Sequence, residues 1–202
     1  MLTIEYLMSV EKSDLEKLSK VIDKNDISFL IDLLNEKDNN IRYQALLLLQ
    51  HRSALNNDIY PFWNIFLNKL KSKNSYQRSI GLMLIAENTK WDIENKLENT
   101  IDQYLMLIDD EKLITVRQCI QYLEKIIPAK KYLMKIADKL MSVNISCLRA
   151  SMKKLILLDI LKILISIKKV QTSDEIENYI FNAISGEILD KKAKQQLKAA
   201  MN

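Results

Sequence analysis

An arginine set early in an apolar helical stretch returns four times along this chain, and that recurrence constrains the fold more than any other feature. The stretches are Ile41-Arg42-Tyr43-Gln44-Ala45, Gln77-Arg78-Ser79-Ile80-Gly81, Val116-Arg117-Gln118-Cys119-Ile120 and Leu148-Arg149-Ala150-Ser151-Met152. The arginines stand 36, 39 and 32 residues apart, intervals that bracket a two-helix unit in a stacked repeat. One such unit leaves an apolar face bare until a neighbouring pair covers it, so the period implies a row of helix pairs sharing a continuous core. Two glycines and two prolines among 202 residues are too few for the turns of an all-β protein. The expected class is all-α, with about 10 helices.

Amphipathic spacing places helix pairs over 27–36 with 39–52, 59–71 with 74–89, 95–108 with 112–127, and 130–141 with 146–169. Ser13-Asp14-Leu15-Glu16 has the form of a capping box that would start a helix. Asp58 is the expected cap of the second pair, with Pro61 in the first turn that follows, and Pro128 should close one helix and precede the next. The stretch 146–169 is apolar on most of its circumference, with Ser151, Asp159, Lys162, Ser166 and Lys169 forming a narrow polar stripe. It therefore requires cover on both sides, which segments 173–185 and 187–200 would supply as a C-terminal cap.

Ile41, Arg42, Ala45, Leu48 and Leu49 resemble the second helix of a HEAT repeat, in which an aliphatic-arginine step is followed by a small residue and leucines. Gly81 takes the small position of the second unit, where close helix approach offsets a helix-propensity loss of about 1 kcal/mol. Ile120 and Met152 stand at that position in the third and fourth units, which align by arginine and period. The resemblance covers residues 26 to 170 and implies a right-handed α-α superhelix of the HEAT and ARM type. It further implies one domain over residues 1–202, with 171–202 as capping helices. In this family the repeat arginine ties adjoining turns together, so Arg42, Arg78, Arg117 and Arg149 are expected to form a structural ladder, with Asp38 and Asp110 as candidate partners.

Charge is unevenly placed. Residues 1–111 carry 13 basic and 18 acidic groups, residues 112–202 carry 17 and 8, and the total is +4. This is a modest bipolar pattern rather than the strongly basic stripe of a dedicated nucleic-acid binder. Cys119 and Cys147 lie in apolar stretches without C-x-x-C spacing, which reads as two reduced, buried thiols and no metal site. Neither an export signal nor an apolar run of about 20 residues is present, so no membrane span and a cytoplasmic location are expected.

Few residues carry chemistry. Asp159 in the most apolar stretch should be paired with a Lys or Arg, and the single His51 reads as a solvated helix-end residue. Tyr60, Phe62, Trp63 and Phe66 form an aromatic group, and the spacing of Trp63, Phe66, Leu67 and Leu70 marks a core-facing stripe; core packing is the reading, with an exposed aromatic binding patch as the alternative. The stretch Trp91-Asp92-Ile93-Glu94-Asn95 is similar to the W-D-x-x-D pattern of alkylation-repair DNA glycosylases, which are also HEAT-like. Asn95 puts an amide where that pattern has its catalytic carboxylate, so the resemblance implies nucleic-acid affinity without base excision. The blocks from Arg78 to Asp92 and from Asp110 to Ile126 are similar to small bacterial HEAT-like proteins, some carrying a SufBD label. Two isolated cysteines and one histidine cannot supply the thiolate set of an iron-sulfur cluster. The expected function is a non-enzymatic scaffold that binds a protein partner, without a cofactor, through a concave face formed by the second helices. Arg78, Asn88, Trp91, Arg117, Gln121 and Lys125 are the candidate contact residues, and nucleic-acid binding by the basic half is the alternative.

Overall fold

The computed structural model describes residues 1–201, and the amphipathic stretches form helices in every expected segment. Among the described residues there are twelve α-helices, several entered through short 3-10 turns, and no strand. Two of them, of six and seven residues, lie within 4–21, ahead of the four expected pairs. The chain divides into two compact units, Met1–Ile101 and Asp102–Asn202.

The first unit contains α1 (Ile4–Ser9), α2 (Leu15–Val21), α3 (Ile27–Leu33), α4 (Asn39–Leu55), α5 (Trp63–Leu70) and α6 (Ser75–Asn88). α4 packs against α2, α3 and α6, and α5 lies along α6. Leu30, Leu34, Leu48, Leu49, Trp63 and Phe66 fill the core, each at most 1% exposed. Trp63 can be buried because its indole N–H donates to Thr100 Oγ1 at 3.1 Å. Gly81 sits where α6 presses on α5: a Cβ there would lie 2.6 Å from the carbonyl oxygen of Phe66. The close approach expected of this glycine is therefore made against backbone.

The first two of the four arginines make matching bonds. Arg42 Nη1 donates to the carbonyl of Glu36 at 2.7 Å, and Arg78 Nη1 donates to that of Ser72 at 2.8 Å. Each arginine thus grips the backbone six residues before it, in the turn between the two helices of its pair. Four residues before each stands the helix cap: Asp38 accepts from the amide of Asn40, and Asn74 accepts from that of Tyr76. Asp38 is therefore a cap rather than the ladder partner expected of it. The third and fourth arginines behave differently. Arg117 crosses to Asp159, and Arg149 is an exposed residue at the start of a helix.

Several local expectations need correction. The capping box at Ser13 does not form, because a 3-10 turn over Lys12–Asp14 leads directly into α2 and leaves Asp14 with helical rather than extended dihedrals. Asp58 does not cap a helix; it pairs with Arg52, which donates Nη2 at 2.7 Å and Nε at 3.0 Å. Pro61 lies in the 3-10 turn Tyr60–Phe62 that opens α5. Pro128 lies in a similar turn, Ile127–Ala129, and the next helix starts only at Leu133.

The second unit contains α7 (Ile101–Leu105, which begins at the boundary), α8 (Leu113–Tyr122), α9 (Leu133–Met141), α10 (Ala150–Val170), α11 (Asp174–Ser185) and α12 (Lys191–Met201). α10 is packed by α8, α9, α11 and α12, which supplies the two-sided cover its sequence demands. Ile156, Ile160, Leu161, Leu164 and Ile167 of α10 are fully buried. Cys119 is buried in α8 with its thiol 3.5 Å from the Tyr104 carbonyl, and burial pushes its pKa well above the usual thiol value. Cys147 is exposed instead of buried, because its segment is a 3-10 turn ahead of α10. No helix among the described residues is long and apolar enough to cross a membrane.

Candidate functional site

Within the second unit, α8 and α10 lie against each other, and their polar link is a carboxylate in apolar surroundings. Asp159 is 5% exposed, on a helix where a lone charge would be costly. Arg117 donates Nε to Oδ2 at 2.6 Å and Nη2 to Oδ1 at 3.3 Å, and Gln121 donates Nε2 to Oδ1 at 3.0 Å. Residues 117 and 121 are one turn apart on α8 and share a face, so both reach the same oxygen pair on α10. Three donors, one of them cationic, meet most of the acceptor capacity of a carboxylate. The Arg117 side chain remains 26% exposed, which places this link at the floor of a surface rather than inside the core.

That surface continues along both helices. On α8 the outward positions are Ile114, Arg117, Gln121, and then Glu124 and Lys125 just beyond its end. On α10 they are Ser151, Leu155, Leu158, Lys162, Ser166 and Lys169, spaced by three and four residues as one stripe requires. The stripes run in the same direction: residue 117 meets 159, while further on Gln121 and Glu124 border a depression of about 240 Å³ with Lys162 and Ile163. One end is apolar, since Ile114 is 58% and Leu155 36% exposed. The middle is the Arg117–Asp159–Gln121 link. The other end carries Glu124, Lys125 and Lys162.

Three of the six expected contact residues, Arg117, Gln121 and Lys125, belong to this face. The other three lie in the first unit and do not form an open patch. Asn88 is fully buried, donating Nδ2 to Ser53 Oγ at 3.0 Å and to the Leu84 carbonyl at 2.8 Å. Arg78 is 8% exposed; α6 is buried continuously from Arg78 to its last residue, Asn88, so this second helix offers no outward stripe there. Trp91 is half-buried and donates its indole N–H to the Ser53 carbonyl at 2.8 Å, plugging the end of the repeat beside Asn88.

The Trp91-Asp92 motif is likewise committed to architecture. Asp92 accepts the Tyr60 hydroxyl at 2.8 Å and the backbone amides of Lys96 and Leu97, each at 2.8 Å. Its carboxylate thereby holds the irregular segment after α6 in place. Asn95 stands in this segment with φ 55°, left-handed geometry that an asparagine tolerates. Burial, followed by the bond to Asp92, raises the Tyr60 phenol well above its usual pKa.

The charge asymmetry also resolves into local pairs. The acidic segment 102–111 is answered within the second unit by α9: Asp102 pairs with Lys135 at 2.6 Å, and Asp109 pairs with Lys139. The second unit as a whole holds 17 basic and 12 acidic residues, and the first 13 and 14. Sequence reasoning missed Ile114 and Leu155, because an apolar residue in an apolar helix is assigned to the core by default; no sequence signal separates them from their buried neighbours. No protein-family model, curated protein or solved structure matches this chain, so the functional reading rests on its own geometry.

Proposed function

We propose that this chain is a non-enzymatic binding module built from HEAT-like helix pairs, and that it docks a protein partner on the face formed by α8 and α10. The single observation that carries this reading is the pinned register of two neighbouring second helices, with Ile114 and Leu155 exposed beside the Arg117–Asp159–Gln121 link. A surface held by a charge-assisted link loses little freedom on binding, which favours affinity. Exposed aliphatic residues next to a partly open arginine supply the mixed apolar and polar contact that protein interfaces use. The arginine grips of Arg42 and Arg78 support the helix-pair reading independently.

Affinity capture with the intact protein, compared with Ile114→Glu and Leu155→Glu, tests the proposal. Tyr43→Glu, on the exposed side of α4 in the first unit, serves as a control. The expected result is a partner lost by both face variants, kept by the control, and rebinding as a purified protein. Identical capture by all four proteins sinks the idea. Nucleic-acid binding is the second reading, favoured by the excess of basic residues in the second unit. Its signature is duplex binding that weakens steeply with salt, and no binding at low salt removes it.

A further inference from the structure

From the order of chemistry along the α8 and α10 stripes, we infer that the occupant of this face is an acidic amphipathic helix, lying parallel to the two stripes with its apolar end over Ile114 and Leu155. The inference rests on the docking face proposed above and adds the partner's shape and charge. From Ile114 to Lys125 the stripe rises roughly 16 Å, about three helical turns at 1.5 Å per residue. A helix laid in the shallow trough between two parallel helices presents its own side chains every three or four residues. It therefore needs apolar residues over Ile114, Leu155 and Leu158, then a neutral or small residue over the Arg117–Asp159–Gln121 link, which is already satisfied. Beyond the link it needs carboxylates toward Lys162 and Lys169, both exposed.

Charge elsewhere in the unit points the same way. At least five of its twelve acidic residues are engaged in ion pairs within the unit: Asp102 and Asp109 with α9, Asp159 with Arg117, Glu177 with Lys168, and Asp190 with Lys154. The outer part of the α10 stripe instead carries exposed Lys162 and Lys169. An acidic segment is drawn to such a surface and a basic one repelled, so charge selects the partner and speeds its approach.

A random peptide library selected against the full chain provides the test, with enriched peptides measured by fluorescence polarisation at about 20 and about 200 mM salt. Expected sequences are acidic, have apolar residues at helical spacing, gain helicity when bound, and bind about tenfold more weakly to Lys162→Glu or Ile114→Glu. Retained thermal unfolding of both variants shows that the loss is local. Enriched peptides that bind the face but are basic or extended overturn this inference alone. Peptides indifferent to both substitutions overturn the docking face as well. Failure of any acidic peptide to enrich, or a duplex DNA that binds in a Lys162-dependent way while peptides do not, also overturns the acidic-helix occupant.

Discussion

Replacing Gly81 by alanine isolates the packing constraint that holds the first unit together. Alanine removes an interior-helix penalty of about 1 kcal/mol, so propensity alone makes the variant more stable. The structure reverses that sign. The added Cβ would lie 2.6 Å from the Phe66 carbonyl oxygen and 3.0 Å from both Leu70 Cδ2 and Lys69 Cβ. Carbon contacts are most favourable near 3.5 to 4.0 Å, and a backbone oxygen cannot rotate away as a side chain can. α5 and α6 must separate by several tenths of an ångström, which loosens Phe66 and Leu70, 0% and 4% exposed. Overpacking of this kind costs about 1–3 kcal/mol, and contact with backbone places it at the upper end, leaving a net loss of about 2 kcal/mol. Both tryptophans, Trp63 and Trp91, are in the first unit, so their fluorescence during urea unfolding reports on it directly. With a slope of about 2 kcal/mol/M the midpoint should fall by about 1 M. Gly186→Ala, in the second unit, is the contrasting case: its nearest neighbour is 3.4 Å away and its φ of −68° suits alanine, so a gain of about 0.4–1 kcal/mol is expected, read by far-ultraviolet circular dichroism because that unit holds no tryptophan. A Gly81→Ala protein as stable as the original would refute the close-packing argument.

Other perturbations address the second unit and the polar clamps. Arg117→Met should destabilise by about 2 kcal/mol, below the full range for buried pairs because Arg117 is partly exposed. The double variant Arg117→Met, Asp159→Leu should recover most of that loss in a denaturation cycle, and additive losses would show that the link is not the source. In the native protein a thiol reagent should modify Cys147 promptly, while Cys119, buried with its pKa raised, should react only as fast as the second unit opens. Equal labelling rates at both would contradict its burial. Because the folded state raises the Tyr60 pKa, it retains the phenol proton where the unfolded chain has lost it. Stability should therefore fall as pH rises above about 10. Tyr60→Phe should flatten that decline in urea titrations, and an unchanged slope would assign it to other groups.

What the sequence makes legible follows from the range of each interaction. Helix segments and the arginine period are local properties, and the first two pairs obey them down to matching carbonyl bonds from Arg42 and Arg78. Asp159 was legible as a paired charge, because a carboxylate in an apolar helix has few stable environments. Its partner Arg117 lies 42 residues away, and no local rule selects it from the other cations. Cap signals mislead where another contact or turn takes the residue: Asp58 serves Arg52, and Ser13 is overtaken by a 3-10 turn. Asn88 reads as a surface residue because it is polar and near a helix end, yet it is buried and donates its amide N–H to Ser53 on α4.

The same logic explains why the candidate site falls in the less regular half. In the first unit the repeat arginine closes its own turn, and Asn88, Trp91 and Asp92 are consumed in sealing the end of the second pair. In the second unit the equivalent arginine leaves its turn and reaches across to α10, taking Gln121 with it. Arg117 is partly exposed, so the bond that pairs Asp159 also joins α8 and α10 at a surface. Removing Arg117 would leave Asp159 buried without its cation. The second unit is therefore held together by a pairing that also builds its surface.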